Sequence, residues 1–100
     1  MEVIKLNDNL ILYYEDGKLY CISYPRSHTE VRIAYNGTKR WFKNGQHHRD
    51  RDLPATEHAN GTKHWYQNGK LHRGNDLPAI EWFDGIKSWY KNGEYIRKEN

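Results

Sequence analysis

The chain has few of the residues on which disulfide-bonded, metal-binding and membrane-spanning proteins depend. Its single cysteine, Cys21, allows no internal disulfide bond and no Cys-x-x-Cys zinc site. The longest apolar run near the N-terminus, Leu10 to Tyr14, is far shorter than a signal-peptide core or a membrane span. We therefore expect a cytoplasmic protein in a reducing compartment, without membrane association.

Apolar residues are also scarce, at 36% of 100 residues, which is low for a globular domain. Aromatic residues nevertheless make up 14% of the chain, whereas disordered segments are poor in aromatics. A chain of this length forms a single domain at most and buries about two-thirds of its unfolded surface. A few large aromatic side chains must therefore supply most of the core.

Charge is unevenly distributed along the chain. Residues 1–30 contain three Lys/Arg and five Asp/Glu side chains, a net charge of −2, whereas residues 31–100 contain 13 and 8, a net charge of +5. An excess of positive charge favours an acidic protein surface or a polyanion as partner.

A period of 24 residues organises the chain from residue 31 onward. Glycine recurs at positions 37, 61 and 85, tryptophan follows each glycine after four residues, and arginine follows it after twelve. The loops at 48–55 and 72–79 share the pattern His-Arg-x-x-Asp-Leu-Pro-Ala. We divide the single domain, 1–100, into a degenerate capping hairpin at 1–30 and repeats at 31–54, 55–78 and 79–100, because terminal repeats are usually atypical.

Asn-Gly and Asp-Gly dipeptides occur six times in residues 31–100. Between aromatic and β-branched segments they predict two-residue type I′ turns, in which both central residues have positive φ. No window has the apolar period of a helix. The sequence predicts an all-β protein, an open and twisted antiparallel β-meander of stacked hairpin repeats without significant helix.

Two-residue turns would also determine which side chains share a face. Trp65 is then placed opposite Thr56, and Tyr66 lies opposite Ala55 on the reverse face. We call this reverse face the tyrosine face; it also carries Tyr90. The recurrent tryptophans are predicted to form the core, because no other side chains are large enough to fill it.

The same register predicts a row of charged side chains on the tyrosine face. Glu57, His64 and Arg73 are placed side by side across three strands, as structural cross-strand pairs. Arg73 is also predicted to bind Asp76 within its own loop, and Arg49 is predicted to bind Asp52 in the same way.

The segments NGTKRWFKNGQHHRDRDLPA and NGTKHWYQNGKLHRGNDLPA resemble MORN-type repeat variants. The similarity is greatest to a tandem W-Y-x-N-G-x-x-H-R-x-x-D-G-P-A repeat of bacteriophage and giant-virus proteins, although Leu53 and Leu77 stand where that repeat has glycine. The resemblance implies stacked β-hairpins, a role in protein or membrane association, and no catalytic residues. It also implies a viral origin, and hence the host cytoplasm; small phage proteins often bind and disable a host factor.

Six histidines raise the question of catalysis or metal binding. His48 and His72 each precede an aspartate by four residues, but zinc needs three or four converging ligands, and a periodic array spreads them along the stack. The sequence contains no Gly-rich phosphate loop, nucleophile elbow or Cys-His pair. We therefore expect no enzymatic activity, no cofactor and no metal.

With catalysis excluded, we interpret the protein as a binding module that acts as a monomer or homodimer. We expect it to bind a host protein with an acidic surface and to inhibit that factor, for example a defence protein. The alternative is a single-stranded nucleic-acid-binding protein, because basic residues among aromatics on an open sheet can pair phosphates and stack bases. The candidate contact residues, all predicted on the tyrosine face, are Arg40, Phe42, Arg49, His64, Tyr66, Arg73 and Tyr90.

Overall fold

A computed structural model describes residues 1–100. Almost all of its regular structure is β, and the one helical element is a three-residue 3-10 turn, Pro25–Ser27. The strands are β1 (Glu2–Asn7), β2 (Leu10–Glu15), β3 (Lys18–Tyr24), β4 (Thr29–Ile33), β5 (Lys39–Lys43), β6 (Gln46–His47), β7 (Thr56–Glu57), β8 (Lys63–His64), β9 (Tyr66–Gln67), β10 (Lys70–Leu71), β11 (Ile80–Glu81), β12 (Lys87–Lys91) and β13 (Glu94–Glu99). The predicted fold class is confirmed. The structure contains no helix with the length and apolar character of a transmembrane span.

Eleven of the strands form one antiparallel sheet. Its order is β1-β2-β3-β4-β5-β7-β8-β11-β12-β13, with β6 paired to β5, and β9 and β10 form a separate hairpin. The sheet does not close on itself, so β1 and β13 are its free edges, and the molecule measures 44 × 26 × 17 Å. Residues 1–30 supply three strands at one end. The predicted open meander is confirmed.

Three of the six predicted turns in the repeats have the expected two-residue geometry. Asn68 and Gly69 have φ of 52° and 84°, and Gln67 pairs with Lys70 around them. Positive φ at both positions also occurs at residues 44–45 and 92–93. Asparagine and glycine tolerate this left-handed conformation better than other residues, which is why the dipeptide favours the turn.

The other three turns differ from the prediction. At Asn60-Gly61 only the glycine has positive φ, 95°. The Gly61 N–H donates to the His58 carbonyl at 2.9 Å, and the His58 N–H donates to the Thr62 carbonyl at 2.9 Å, so the loop holds three residues. This is a type I turn followed by a left-handed glycine. The same loop occurs at residues 36–37 and 84–85.

The additional loop residue shifts the strand register by one. Thr56 pairs with His64, and the predicted pairing of Thr56 with Trp65 is wrong, as is that of Tyr66 with Ala55. A one-residue slip moves every side chain of a strand to the opposite face. Glu57 therefore lies opposite Lys63 on the side of the sheet away from Tyr66, and its predicted place on the tyrosine face is also wrong.

The largest buried rings lie on the face that carries Trp41, Trp65 and Trp89, here called the tryptophan face, while Thr56, Ile80 and Ser88 are buried on the other face. Trp65 and Trp89 are 5% and 8% exposed, and Ala55 has no exposed surface. Nε1 of Trp65 donates to the Asp52 carbonyl at 3.0 Å, which closes the connecting loop over the ring. The predicted core role is confirmed for Trp65 and Trp89, whereas Trp41 is only half-buried.

Hydrogen bonds between successive repeats recur with the sequence period. The Ala59 N–H donates to Thr38 Oγ1 at 3.2 Å, and one repeat later the Phe83 N–H donates to Thr62 Oγ1 at 3.1 Å. The loop histidines bind the next repeat in the same way, with the N–H of Asn68 and Asn92 donating at 3.0 Å to Nδ1 of His48 and His72. These polar side chains therefore join the repeats into one stack.

Candidate functional site

A row of directly opposed residues crosses the tyrosine face. Arg32 pairs with Arg40, Arg40 with Thr56, and Thr56 with His64. Opposed residues of an antiparallel sheet point their side chains to the same side. Phe42 shares that side because it lies two residues after Arg40 on β5.

Aromatic rings stack in the centre of this face. The ring of His47 lies 5.2 Å from Phe42 and 3.9 Å from Tyr66, with interplanar angles of 20° and 21°. His64 continues the stack 6.2 Å from Tyr66 at 18°. Nε2 of His47 lies within hydrogen-bonding distance of the Thr56 hydroxyl, at 2.6 Å, which holds its ring between the other two. His47 was not predicted as a site residue.

Two exposed aromatic residues extend the face toward the C-terminal repeat. The ring of Trp82 lies 6.0 Å from His64, and Trp82 and Phe83 are 40% and 66% exposed. With His58 they line a shallow cavity of about 240 Å³. These residues were not predicted from the sequence, although Trp82-Phe83 replaces His58-Ala59 of the preceding repeat. A departure from an otherwise regular repeat is a signal that could have marked them.

Arg40 lies near the centre of this face and has no carboxylate partner. It is half-buried and forms no ion pair or side-chain hydrogen bond, whereas its neighbour Arg32 is bound to Glu30 at 2.7 Å. Two like charges directly opposite each other destabilise an antiparallel sheet. The tyrosine face therefore presents an unpaired positive charge among stacked rings.

The histidines of the face add no charge at neutral pH. Burial, followed by the nearby positive charges of His58, His47 and Arg40, lowers the pKa of His64 from 6.5 to about 4. Burial is also the main cause that lowers the pKa of His47 and of His58, and Arg40 contributes to both. No three His, Cys, Asp or Glu side chains of the molecule converge as metal ligands. The rings therefore offer neutral stacking surfaces beside Arg40.

Arg49 and Arg73 lie on the tryptophan face, and their predicted place on the tyrosine face is wrong. Their guanidinium carbons lie 3.7 and 3.8 Å from the ring centroids of Trp41 and Trp65. Strand β10 ends at Leu71, two residues before Arg73, so the alternation of side chains along the strand does not extend to the arginine.

Arg73 is saturated by structural partners. Nη1 donates to the Pro78 carbonyl at 3.1 Å and to Glu81 at 3.0 Å, and Nε and Nη2 donate to the two oxygens of Asp52 at 2.9 and 3.2 Å. Its carboxylate partners thus come from the preceding and following repeats, and the predicted pairing with Asp76 is wrong. Arg49 makes the equivalent contacts with Pro54 and Glu57. Both arginines hold the stack together, and Arg73 has little capacity left for a ligand.

Tyr90 lies at the C-terminal end of the tyrosine face. Ser88, two residues earlier on β12, pairs with Ile80, which in turn pairs with His64 and so continues the row. The Tyr90 ring lies 5.5 Å from that of Tyr95. The structure thus brings five of the seven predicted contact residues to one face: Arg40, Phe42, His64, Tyr66 and Tyr90.

Comparisons of this chain with protein-family models, with curated proteins and with solved structures found no match. The similarity to MORN-type repeats therefore stays a prediction based on residues alone. The geometry of the tyrosine face is the basis on which a function can be argued.

Proposed function

We propose that this protein is a binding module that holds an acidic surface of a host protein against its tyrosine face and inhibits that protein. Arg40 is the observation that carries the proposal. A half-buried guanidinium opposed to a second arginine, with no carboxylate of its own, is electrostatically unfavourable in the free protein. A carboxylate supplied by a partner would offset that cost and form charge-assisted hydrogen bonds.

The surroundings of Arg40 are those of an interface hot spot. Arginine, tyrosine and tryptophan dominate binding energy at protein interfaces, especially when neighbouring contacts exclude water. Here the stack of Phe42, His47 and Tyr66 is already ordered, so binding immobilises few new side chains. The exposed rings of Trp82 and Phe83 supply further apolar area at one end.

The resemblance to viral MORN-type repeats supports the nature of the partner. Those repeats serve mainly in association, and a viral protein of this size would meet its target in the host cytoplasm. The positive charge of residues 31–100 would speed encounter with an acidic protein.

A capture experiment with matched charge reversals tests the proposal. Arg51 is the control for Arg40, because it also lacks a carboxylate but is exposed on a connecting loop. From nuclease-treated host lysate, the parent and Arg51→Glu should capture the same host protein. Arg40→Glu should bind that host protein, once purified, at least about tenfold more weakly than the parent does. Binding should also weaken with added salt. Equal capture by both variants would exclude the tyrosine face.

The ring stack also favours a second candidate, the binding of single-stranded nucleic acid. Stacked rings beside an arginine are the arrangement by which such proteins hold bases and backbone. Purified protein would then bind single-stranded DNA or RNA at physiological salt without any host protein, and Arg40→Glu would abolish the binding. Host-protein capture would disappear after nuclease treatment.

A further inference from the structure

An open groove of about 590 Å³ lies over strands β2 to β5, toward the N-terminal end of the molecule. Its volume is within the range of small-molecule sites, about 300 to 1,000 Å³. Three aromatic side chains line it, those of Tyr13, Tyr20 and Phe42, and the rings of Tyr13 and Tyr20 lie 6.2 Å apart. The groove can therefore enclose a planar ring.

The polar groups of the groove leave one positive charge unbalanced. Glu30 is bound by Arg32 at 2.7 Å and by the Cys21 thiol at 3.6 Å, so its charge is offset within the protein. Burial, with Glu30 beside it, raises the pKa of Cys21 to about 11, so the thiol is neutral. Arg40 lines the same groove with no partner. The site therefore favours an anion.

We propose that this groove binds a free mononucleotide, with its phosphate on Arg40 and its base among the tyrosine rings. A phosphate monoester carries a charge of about −1.5 to −2 and three acceptor oxygens, which match the fork of a guanidinium. The planar base would stack on Tyr13 or Tyr20, whose rings are tilted by 55° and do not stack on each other. This site goes beyond the proposed protein docking, since it needs no macromolecular partner.

Binding should stabilise the fold, because a ligand that occupies only the folded state raises the unfolding temperature. The phosphate would also relieve the repulsion between Arg32 and Arg40. Tight binding needs the base and the phosphate in one molecule, since each alone fills only part of the groove.

Calorimetric titration and thermal unfolding of the purified protein test the site with adenosine 5′-monophosphate, adenosine and inorganic phosphate. We expect a dissociation constant of about 10 µM to 1 mM for the mononucleotide. Adenosine and phosphate should each bind at least about tenfold more weakly. Arg40→Gln should weaken nucleotide binding at least about tenfold, and the control Arg51→Gln should leave it unchanged.

Substitutions of Tyr13 separate this site from the docking surface, because Tyr13 is not among the proposed docking residues. Tyr13→Phe should retain nucleotide binding, and Tyr13→Ala should weaken it while host-protein capture by that variant persists. Where Tyr13→Ala fails to fold by circular dichroism, Tyr20→Ala replaces it. Equal binding of phosphate and mononucleotide, unchanged binding by Arg40→Gln, or affinity that rises steadily with oligonucleotide length would each overturn the proposal.

Discussion

At the scale of single residues, the arginines of the repeats have two distinct environments. Arg73 stacks on Trp65 and donates four hydrogen bonds, with 12% of its side chain exposed. Arg40 has neither a carboxylate nor a hydrogen bond, although it is half-buried. Burial of a charge is unfavourable unless it is paired. Arg73 therefore contributes to the stability of the fold, whereas Arg40 has no partner within the chain.

Arg51 offers a test of local strain. It has φ of 65° in the connecting loop, a conformation that costs most L-residues about 1 to 2 kcal/mol, and the equivalent residue of the next repeat is Asn75 with φ of 58°. Arg51→Asn should raise the free energy of unfolding by about 0.5 to 1 kcal/mol, measured by urea denaturation. The reverse exchange, Asn75→Arg, should lower it similarly; a loss of stability in Arg51→Asn would contradict the assignment.

His64 gives a pH dependence with a defined sign. Its pKa falls from 6.5 in the unfolded chain to about 4 in the folded protein, beside His47, His58 and Arg40. Between these values the unfolded state binds the proton and the folded state does not, so stability decreases as pH falls from about 6.5 toward about 4. In urea unfolding, His64→Gln should reduce the amount by which the free energy of unfolding falls between about pH 7 and about pH 5. An unchanged loss would place the titration elsewhere.

At the scale of elements, the sequence was informative about turn positions and less so about turn type. An Asn-Gly pair fits a two-residue type I′ turn and also a three-residue loop in which only glycine has positive φ. At Asn60 the side chain accepts the Thr62 N–H at 3.0 Å, and Thr38 of the previous repeat binds Ala59, which together favour the longer loop. Contacts between repeats thus help to determine the strand register. A prediction made from one turn sequence alone does not include these contacts.

The connecting loop has the same geometry in both repeats. This geometry accommodates Leu53 and Leu77, the two departures from the viral pattern that the sequence resembles. Positive φ occurs at residues 51–52 and 75–76, and Leu53 and Leu77 have none. The position at which the repeats that this sequence resembles have glycine therefore requires no glycine here. The candidate site was predicted less completely than the fold. Arg49 and Arg73 each follow a short strand, so the alternation of side chains did not predict their face. Trp82 stands where the preceding repeat has histidine, so the period did not predict it.

Gly69 tests the two-residue hairpin. Its φ is 84°, and a Cβ added there would meet only Gln46 Cβ at 3.9 Å, so backbone conformation and not crowding opposes substitution. Gly69→Val should lower the free energy of unfolding by about 1 to 3 kcal/mol. The control is Gly74→Ala, where φ is outside the left-handed region and no atom lies within 4 Å. Equal urea midpoints for the two variants would refute the assigned turn.

At the scale of the whole molecule, the two faces of one sheet carry different sets of side chains. The tryptophan face holds the buried rings, the arginines that cover them and the loops that join the repeats. The tyrosine face has stacked but partly exposed rings and the unpaired Arg40. A surface kept for binding is often less stable than the fold would allow, because selection acts on function as well as stability.

Urea unfolding of two matched variants, Arg40→Gln and Arg73→Gln, tests this division most directly. Removing the Arg40 charge relieves its repulsion with Arg32, so the free energy of unfolding should equal or exceed that of the parent. Arg73→Gln removes the Trp65 contact and leaves Asp52 and Glu81 without their partner, and it should cost about 2 to 4 kcal/mol. If Arg40→Gln is destabilised as much as Arg73→Gln, Arg40 is structural, and the tyrosine face is not the binding surface.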